Sequence, residues 1–300
     1  MATLTTRRSG WLSTITAGRG FSKETASPVW AITAWIVGLI VFFPVLYMFL
    51  TGFKTENAAV DLPPKLIFWP TFENYQAVFG INFIPFFRNS IVTSLVSTFF
   101  VMLLAIPCAY ALALYRPKKW KDILFFFIST RFLPVAGVIV PLYVIFSPTG
   151  DPALGGRGLN LLGTLPGLIL LYTAMNLPIA VWMLRSFFEE VPRDVLDAAR
   201  VDGAGLPREM LQIVLPMVAP GLVATIFISI IFAWNEFFLA YNLAPKESTV
   251  PMFMVRFVTS EGLFWAKLAA SCTMAVFPIV LLGWMAQRQL VRGLSMGAVK

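Results

Sequence analysis

The sequence predicts an all-α, polytopic membrane protein with six transmembrane helices and both termini in the cytoplasm. Three observations predict it. The 300 residues are 58% hydrophobic and only 13% charged, about half the charged fraction of a soluble domain. The apolar residues fall in six blocks, each near the ~20 residues a helix needs to cross a bilayer. The basic residues fall between those blocks, and unevenly.

The blocks run from Val29 to Phe53, Ser90 to Tyr115, Ile123 to Ser147, Leu161 to Leu184, Met217 to Tyr241 and Leu268 to Ala286. The third is interrupted by Arg131, Pro134 and Pro141, and the fifth contains Glu236. Prolines 44, 107, 178 and 278 are tolerable inside spans, because neighbouring helices satisfy the freed carbonyls. Residues 1–28 read as a basic cytoplasmic tail. Arg7 and Arg8 faintly suggest a twin-arginine signal, but the apolar block that follows starts late and is too long for a signal core. Residues 29–290 read as one six-helix membrane domain, and 291–300 as a second cytoplasmic tail.

With the N-terminus inside, fifteen lysines and arginines fall on cytoplasmic segments, including Arg116, Lys118, Lys119, Arg193 and Arg200. Seven fall outside, among them Lys54, Lys65 and Arg256. That bias sets the orientation and favours an even number of spans. It also accounts for the net charge of +8 without nucleic acid. Outer residues 54–89 are rich in proline and aromatics, which suits the interfacial belt and a short surface helix near Asn82 to Phe87. Cys108 and Cys272 lie inside apolar blocks, so no disulfide framework is implied. The absence of histidine excludes histidine triads and histidine metal ligands.

The loop 186–217 differs from the others. It begins acidic at Glu189 and Glu190, and Pro192 suits a first helical turn. Val195, Ala198, Ala199 and Ala204 lie toward one side of the predicted helix, with Arg193, Asp197 and Arg200 toward the other. Gly203 and Gly205 end it, and Pro207 starts a second helix carrying Met210, Leu211, Ile213, Val214 and Leu215 before Pro216. On these residues alone, a connecting loop resting its apolar face on the membrane remains an alternative.

The spacing Asp197-Ala198-Ala199, Gly203, Ile213, Leu215-Pro216 resembles the EAA loop of bacterial ABC-importer permeases, with Asp197 at the family's glutamate. Trp234-Asn235-Glu236-Phe237 and the tail from Gln289 to Lys300 resemble the carbohydrate-uptake (maltose-type) branch. Asn176 to Leu184 and Glu261 to Leu268 are similar to permeases for polyols such as mannitol and sorbitol. The resemblance implies a transport subunit of the bacterial inner membrane, with no enzymatic activity or cofactor of its own. It implies a second, related permease chain as heterodimer partner, a dimeric ATP-binding subunit that holds ATP and Mg, and an extracytoplasmic solute-binding protein. Asp197, Ala198, Ala199, Gly203, Ile213, Leu215 and Pro216 would couple the permease to the ATPase. The chain has no phosphate-binding glycine loop of its own.

Arg131, Tyr172, Asn176, Trp234, Asn235 and Glu236 are candidate solute-pathway residues. Hydroxyl-rich cargo needs paired donors and acceptors, and Trp234 or Tyr172 would stack on its carbon skeleton. A structural alternative pairs Arg131 with Glu236, or either with the partner chain. An ion-driven secondary transporter competes as a function, but Glu236 is the one carboxylate inside the spans. A membrane enzyme would need a nucleophile, base or metal cluster, and none is evident.

Overall fold

A computed structural model describes residues 28–149, 156–259 and 262–296. The N-terminal tail, the middle of the glycine-rich outer loop, Ser260, Glu261 and the last four residues lie outside the described residues. The chain divides into two units, Met1–Tyr47 and Met48–Lys300. Helix α1 (Pro28–Thr51) supplies the described part of the first, where it exposes apolar side chains all round, including Trp30 and Trp35. A helix with no polar face is suited to lipid or to another apolar surface.

The second unit is a helix bundle. After α2 (Glu56–Val60) and α3 (Glu73–Gly80) comes α4 (Phe83–Tyr110), which continues through a widened turn at Ala111–Tyr115. Next come α5 (Trp120–Ser129), a tight turn at Thr130–Phe132, α6 (Val135–Phe146) and α7 (Leu165–Glu189). The loop region contributes α8 (Arg193–Val201), α9 (Leu206–Arg208), a wide turn at Glu209–Val214 and α10 (Leu215–Met217). The chain ends with α11 (Ala219–Trp234), α12 (Phe238–Leu243), α13 (Val250–Met254), a two-residue hairpin of β1 (Val258–Thr259) and β2 (Gly262–Leu263), and α14 (Trp265–Met296). The hairpin is antiparallel, with Val258 opposite Leu263.

Four helices are long and apolar enough to cross a membrane unbroken: Pro28–Thr51, Phe83–Tyr115, Leu165–Glu189 and Trp265–Val291. Two further candidates are bent helix pairs, the first over the expected third span and the second joining the end of the loop 186–217 to the start of the expected fifth. Trp120–Phe132 meets Val135–Phe146 at 93°, and Leu206–Met217 meets Ala219–Trp234 at 82°. The first bend follows from Pro134, which holds Leu133 in extended backbone and stops the helix before it. The expected fifth span is shorter than predicted. Its helix stops at Trp234, and the chain re-enters a helix only at Phe238. The expected surface helix near Asn82 is also corrected. Asn82 takes a left-handed conformation (φ 64°), and Phe83 to Phe87 form the first turns of α4 itself. Phe83 is buried edge-on against Phe253, ring centroids 5.2 Å apart.

Helices α4 and α7 form the central pair. The buried face of α4 is a seam of Asn89, Ser90, Thr93, Ser94, Ser97 and Thr98. Small side chains let helices approach closely where lipid supplies no hydrophobic drive. Several satisfy themselves within their own helix: Thr93 donates to the Asn89 carbonyl at 2.8 Å and Ser94 to the Ser90 carbonyl at 2.6 Å. Thr173 of α7 crosses the seam, donating to the Ser97 carbonyl at 3.4 Å. Cys108 and Cys272 are free thiols in half-buried positions, each less enclosed than a core residue.

The two ends of the bundle have separate contacts. At one end, Asn74 donates to the Gly52 and Lys54 carbonyls at 3.0 and 2.6 Å, and Ser90 accepts from the Val250 N–H at 2.8 Å. There the Glu56 carboxylate accepts the first N–H groups of α14, from Ala266 at 3.0 Å and Lys267 at 3.1 Å, capping its positive end. The opposite end gathers Arg116, Arg185, Glu189 and the loop after it.

Gly221 marks the closest approach of α11 to α7, since a Cβ there would overlap the Phe187 ring. Gly221→Ala is expected to cost about 1–3 kcal/mol by overpacking. The check is the unfolding midpoint of the detergent-purified protein. Gly80→Ala, at a helical glycine with open space around it, should leave that midpoint within error of wild type.

Candidate functional site

The loop between α7 and α11 has a built geometry. Helix α8 carries Asp194 in its first turn and Arg200 in its last, each favourable to the helix dipole. Pro192 is the cap before it rather than its first residue. The C-terminus closes with paired reverse bonds: the Gly203 N–H donates to the Arg200 carbonyl at 3.0 Å, and the Ala204 N–H to the Ala199 carbonyl at 2.9 Å. This is the Schellman arrangement, which needs left-handed backbone at Gly203, found at φ 79°. Gly205 does not end the helix. It is extended and caps α9, where Pro207 occupies the first turn as expected.

The faces of α8 differ from the sequence expectation. Leu196 and Ala199 are buried against the bundle, while Val195 and Ala198 face outward. Val201 is 87% exposed and Leu206 is exposed beside it. Asp197 is also outward, its side chain 70% exposed. Of the remaining motif residues, Ile213 and Leu215 are half-buried and Pro216 exposed. Leu196, Phe188, Val191, Val214 and Val218 join Tyr110, Ala113 and Leu184 in one apolar cluster. The loop is therefore seated on the ends of α4 and α7.

Charged groups brace the two span ends against each other and the loop against itself. Glu189 accepts from Arg185 at 2.6 Å and from Arg116 at 3.0 Å, and the Arg185 guanidinium lies 4.4 Å from the Trp120 ring centroid. Arg200 donates to both oxygens of Glu209, at 2.9 and 3.1 Å. That hydrogen bond and the carboxylate's charge raise the Arg200 guanidinium above its ordinary value. Glu209 and Tyr110 did not figure among the sequence candidates. The wide turn at Glu209–Val214 explains why: residues five apart, Glu209 and Val214, are both buried, whereas a regular helical period pairs Glu209 with Ile213. The available signal was an opposite-charge pair, Arg200 and Glu209, flanking a glycine turn.

The polar residues of the spans gather around the middle of α7. Arg131 donates to the Met175 carbonyl at 2.9 Å, between Tyr172 and Asn176 in sequence, and its guanidinium lies 5.7 Å from the Phe232 ring. Glu236 lies beside the Tyr172 hydroxyl. Its carboxylate caps α12, accepting from the Leu239 N–H at 2.9 Å and the Ala240 N–H at 3.2 Å. The supposed Arg131–Glu236 pair does not form, because each has these other partners. Asn176 is 1% exposed, and its amide meets no hydrogen-bonding group among the described residues. Asn235 is exposed and donates to the Ile231 carbonyl at 2.9 Å. Neither candidate stacking ring has an open face: Tyr172 is fully buried, and Trp234 packs edge-on against Phe87 at 5.9 Å. Among the described residues no group of His, Cys, Asp or Glu has the geometry to hold a metal ion.

Residues 104–295 match the family described as binding-protein-dependent transport system inner membrane component. A probable ABC transporter permease protein of Sinorhizobium fredii, y4oR, is 32% identical over 93% of this chain and 98% of its own length. The sulfoquinovosyl glycerol transport system permease protein SmoH of Agrobacterium fabrum is 32% identical over 96% and 100%. The trehalose transport system permease protein SugB of Mycobacterium tuberculosis is 33% identical over 90% and 97%. A chain from a solved bacterial ABC transporter involved in alginate import shares the fold, with TM-score 0.68 and 20% identity over 87% of this chain and 95% of that one.

The chain belongs to this family of inner-membrane permease components. It is a multi-pass inner-membrane protein and a transport subunit, not an enzyme.

The left-handed turn makes a sharp expectation for the loop. The space around Gly203 is open, so a substitution there acts through backbone strain alone. Asparagine tolerates this conformation and valine does not. Gly203→Val is expected to reach the membrane at normal levels yet abolish uptake and transport-coupled ATPase activity, while Gly203→Asn retains most of both. Uptake assays on matched amounts of membrane protein check this, and normal uptake by the valine variant would sink it.

Proposed function

We infer that this chain is one of two related permease subunits in an ATP-binding-cassette importer for a carbohydrate, and that α8 docks on the ATPase. The observation that carries the reading is the outward exposure of Val195, Ala198 and Val201 on α8 and of Leu206 at the start of α9, among the exposed Arg193, Asp194 and Asp197. It stands on a loop whose other side packs on the span ends and is hydrogen-bonded to the end of α4 through Glu209 and Tyr110. A loop built only to rest on the membrane gains nothing from such rigid seating.

The remaining parts follow from that assignment. ATP and Mg bind to the dimeric ATPase, whose closure brings the docked α8 helices of the two permeases together. The bundle then rocks between inward- and outward-facing states as rigid bodies, driven by contacts that differ between the states. In this reading the chain crosses six times with both termini inside, α11 makes the fifth crossing from Ala219, and the loop 186–217 lies in the cytoplasm. An extracytoplasmic binding protein delivers the cargo to the opposite end.

The relatives are named for sugar and glycoside cargo, which supports a hydroxyl-rich solute. A polyol such as mannitol or sorbitol is the narrower reading, and it rests on the stretches 176–184 and 261–268. Arg131, Asn176 and Asn235 are the pathway residues with polar atoms best placed to meet such a solute. Tyr172, Trp234 and Glu236 support the wall behind them. An ion-coupled mechanism gains little from Glu236, whose oxygens already cap α12.

Mild-detergent capture of the tagged chain from its host, followed by mass spectrometry, is expected to return an ATP-binding subunit and a second permease. The accompanying binding protein would then be screened against polyols and disaccharides. Val201→Asp should keep the second permease but recover roughly tenfold less ATPase, as for loss of an interface anchor. A chain recovered alone or as a homo-oligomer, with no ATPase in several detergents, would overturn the importer reading. Unchanged ATPase recovery with Val201→Asp would remove this face of α8 from the docking surface.

A further inference from the structure

Glu209 is 2% exposed, yet it is fully engaged by charge and hydrogen bonds. The Tyr110 hydroxyl, at the end of α4, donates to Oε1 at 2.6 Å. Arg200, in the last turn of α8, donates to Oε1 through Nη2 at 3.1 Å and to Oε2 through Nε at 2.9 Å. Glu209 itself opens the wide turn leading into α10 and α11. One carboxylate therefore joins a membrane span, the helix with the outward apolar face, and the segment returning to the membrane. The Arg200 guanidinium also lies 5.9 Å from the Tyr115 ring, and Tyr110 packs edge-on against Phe188 of α7 at 6.1 Å.

Apolar packing alone would fill this space as stably as a buried ion pair does. Apolar contacts slide, however, whereas a carboxylate held by three directional bonds fixes the relative orientation of its partners. We propose that Glu209 is a positioning residue for transport coupling: through Tyr110 and Arg200 it locks α8 to the end of α4, so that displacement of α8 moves the span instead of flexing the loop. The proposal rests on the importer reading and adds a residue outside the loop's recognised motif.

The test uses the complete transporter, with its partner permease, ATPase and binding protein, in proteoliposomes. Solute taken up and ATP hydrolysed are measured on the same vesicles. Glu209→Gln keeps the shape and removes the charge, and Tyr110→Phe removes one bond alone. Each is expected to keep ATP hydrolysis stimulated by the loaded binding protein while solute carried per ATP falls, by roughly fivefold for Glu209→Gln. A purely structural role would lower the yield of assembled complex and both rates together, leaving the ratio at the wild-type value. That result in Glu209→Gln overturns the proposal. If Glu209→Gln does not assemble, an unchanged ratio in Tyr110→Phe overturns it instead. Failure of the wild-type assembly to couple uptake to ATP and binding protein would overturn the importer reading itself, and is seen without any variant.

Discussion

A backbone in hydrocarbon has no water to satisfy its N–H and C=O groups, and the rest of this structure depends on that constraint. Continuous helices meet it on their own. Each interruption needs a substitute partner, and the chain supplies one at several of its breaks. Glu236 caps α12 where the fifth span stops short. Glu56 caps α14 from 210 residues away. Thr164 accepts from the Gly167 N–H at the start of α7 at 3.2 Å. The polar residues that stand out in an apolar sequence are therefore partly explained by the breaks they repair. Glu236 shows this well: as a carboxylate within a span it invites a transport role, but its geometry is that of a helix cap.

The same constraint shapes where the bundle is continuous and where it bends. Helices α4 and α7 are packed along a seam of small residues whose hydroxyls are largely satisfied within their own helix. Pro107 and Pro178 each remove one ladder bond, yet neither ends its helix. The bends lie elsewhere, at 93° between α5 and α6 and at 82° before α11. Arg131 ties the first bend to α7 through the Met175 carbonyl, and Phe187 of α7 meets α11 at Gly221, just beyond the second. Both bends thus contact this pair, which is also the pair on which the loop after α7 is seated.

Much of this was legible in the sequence, for physical reasons that differ by element. Hydropathy found the four unbroken membrane-length helices and the two bent regions, because a bilayer demands length and composition above all. Turn chemistry found the helix, glycine turn and second helix of the loop, because left-handed backbone at Gly203 and proline at Pro207 are local demands. What escaped was set by contacts distant in sequence. The burial of Leu196 and Ala199, rather than Val195 and Ala198, depends on the ends of α4 and α7. The inward turn of Glu209 depends on a widened helical turn that no periodicity announces. Trp234 looked like a stacking platform by type, but Phe87, nearly 150 positions earlier, closes its edge.

Two groups of polar residues remain once the caps are set aside, and they sit at different levels of the same helix. Around Met175, in the middle of α7, Asn176 keeps a buried amide without a protein partner among the described residues, and Arg131 is held by a single backbone carbonyl. At the end of α7, Glu189 is fully engaged by two arginines and the adjoining loop by Glu209. The first group is under-satisfied and the second over-determined. A buried polar atom without a partner is costly in an apolar interior, so the middle of α7 is where a polar group from outside this chain would gain most, and its end is where none is needed. Here α7 links the two along one unbroken length of 25 residues.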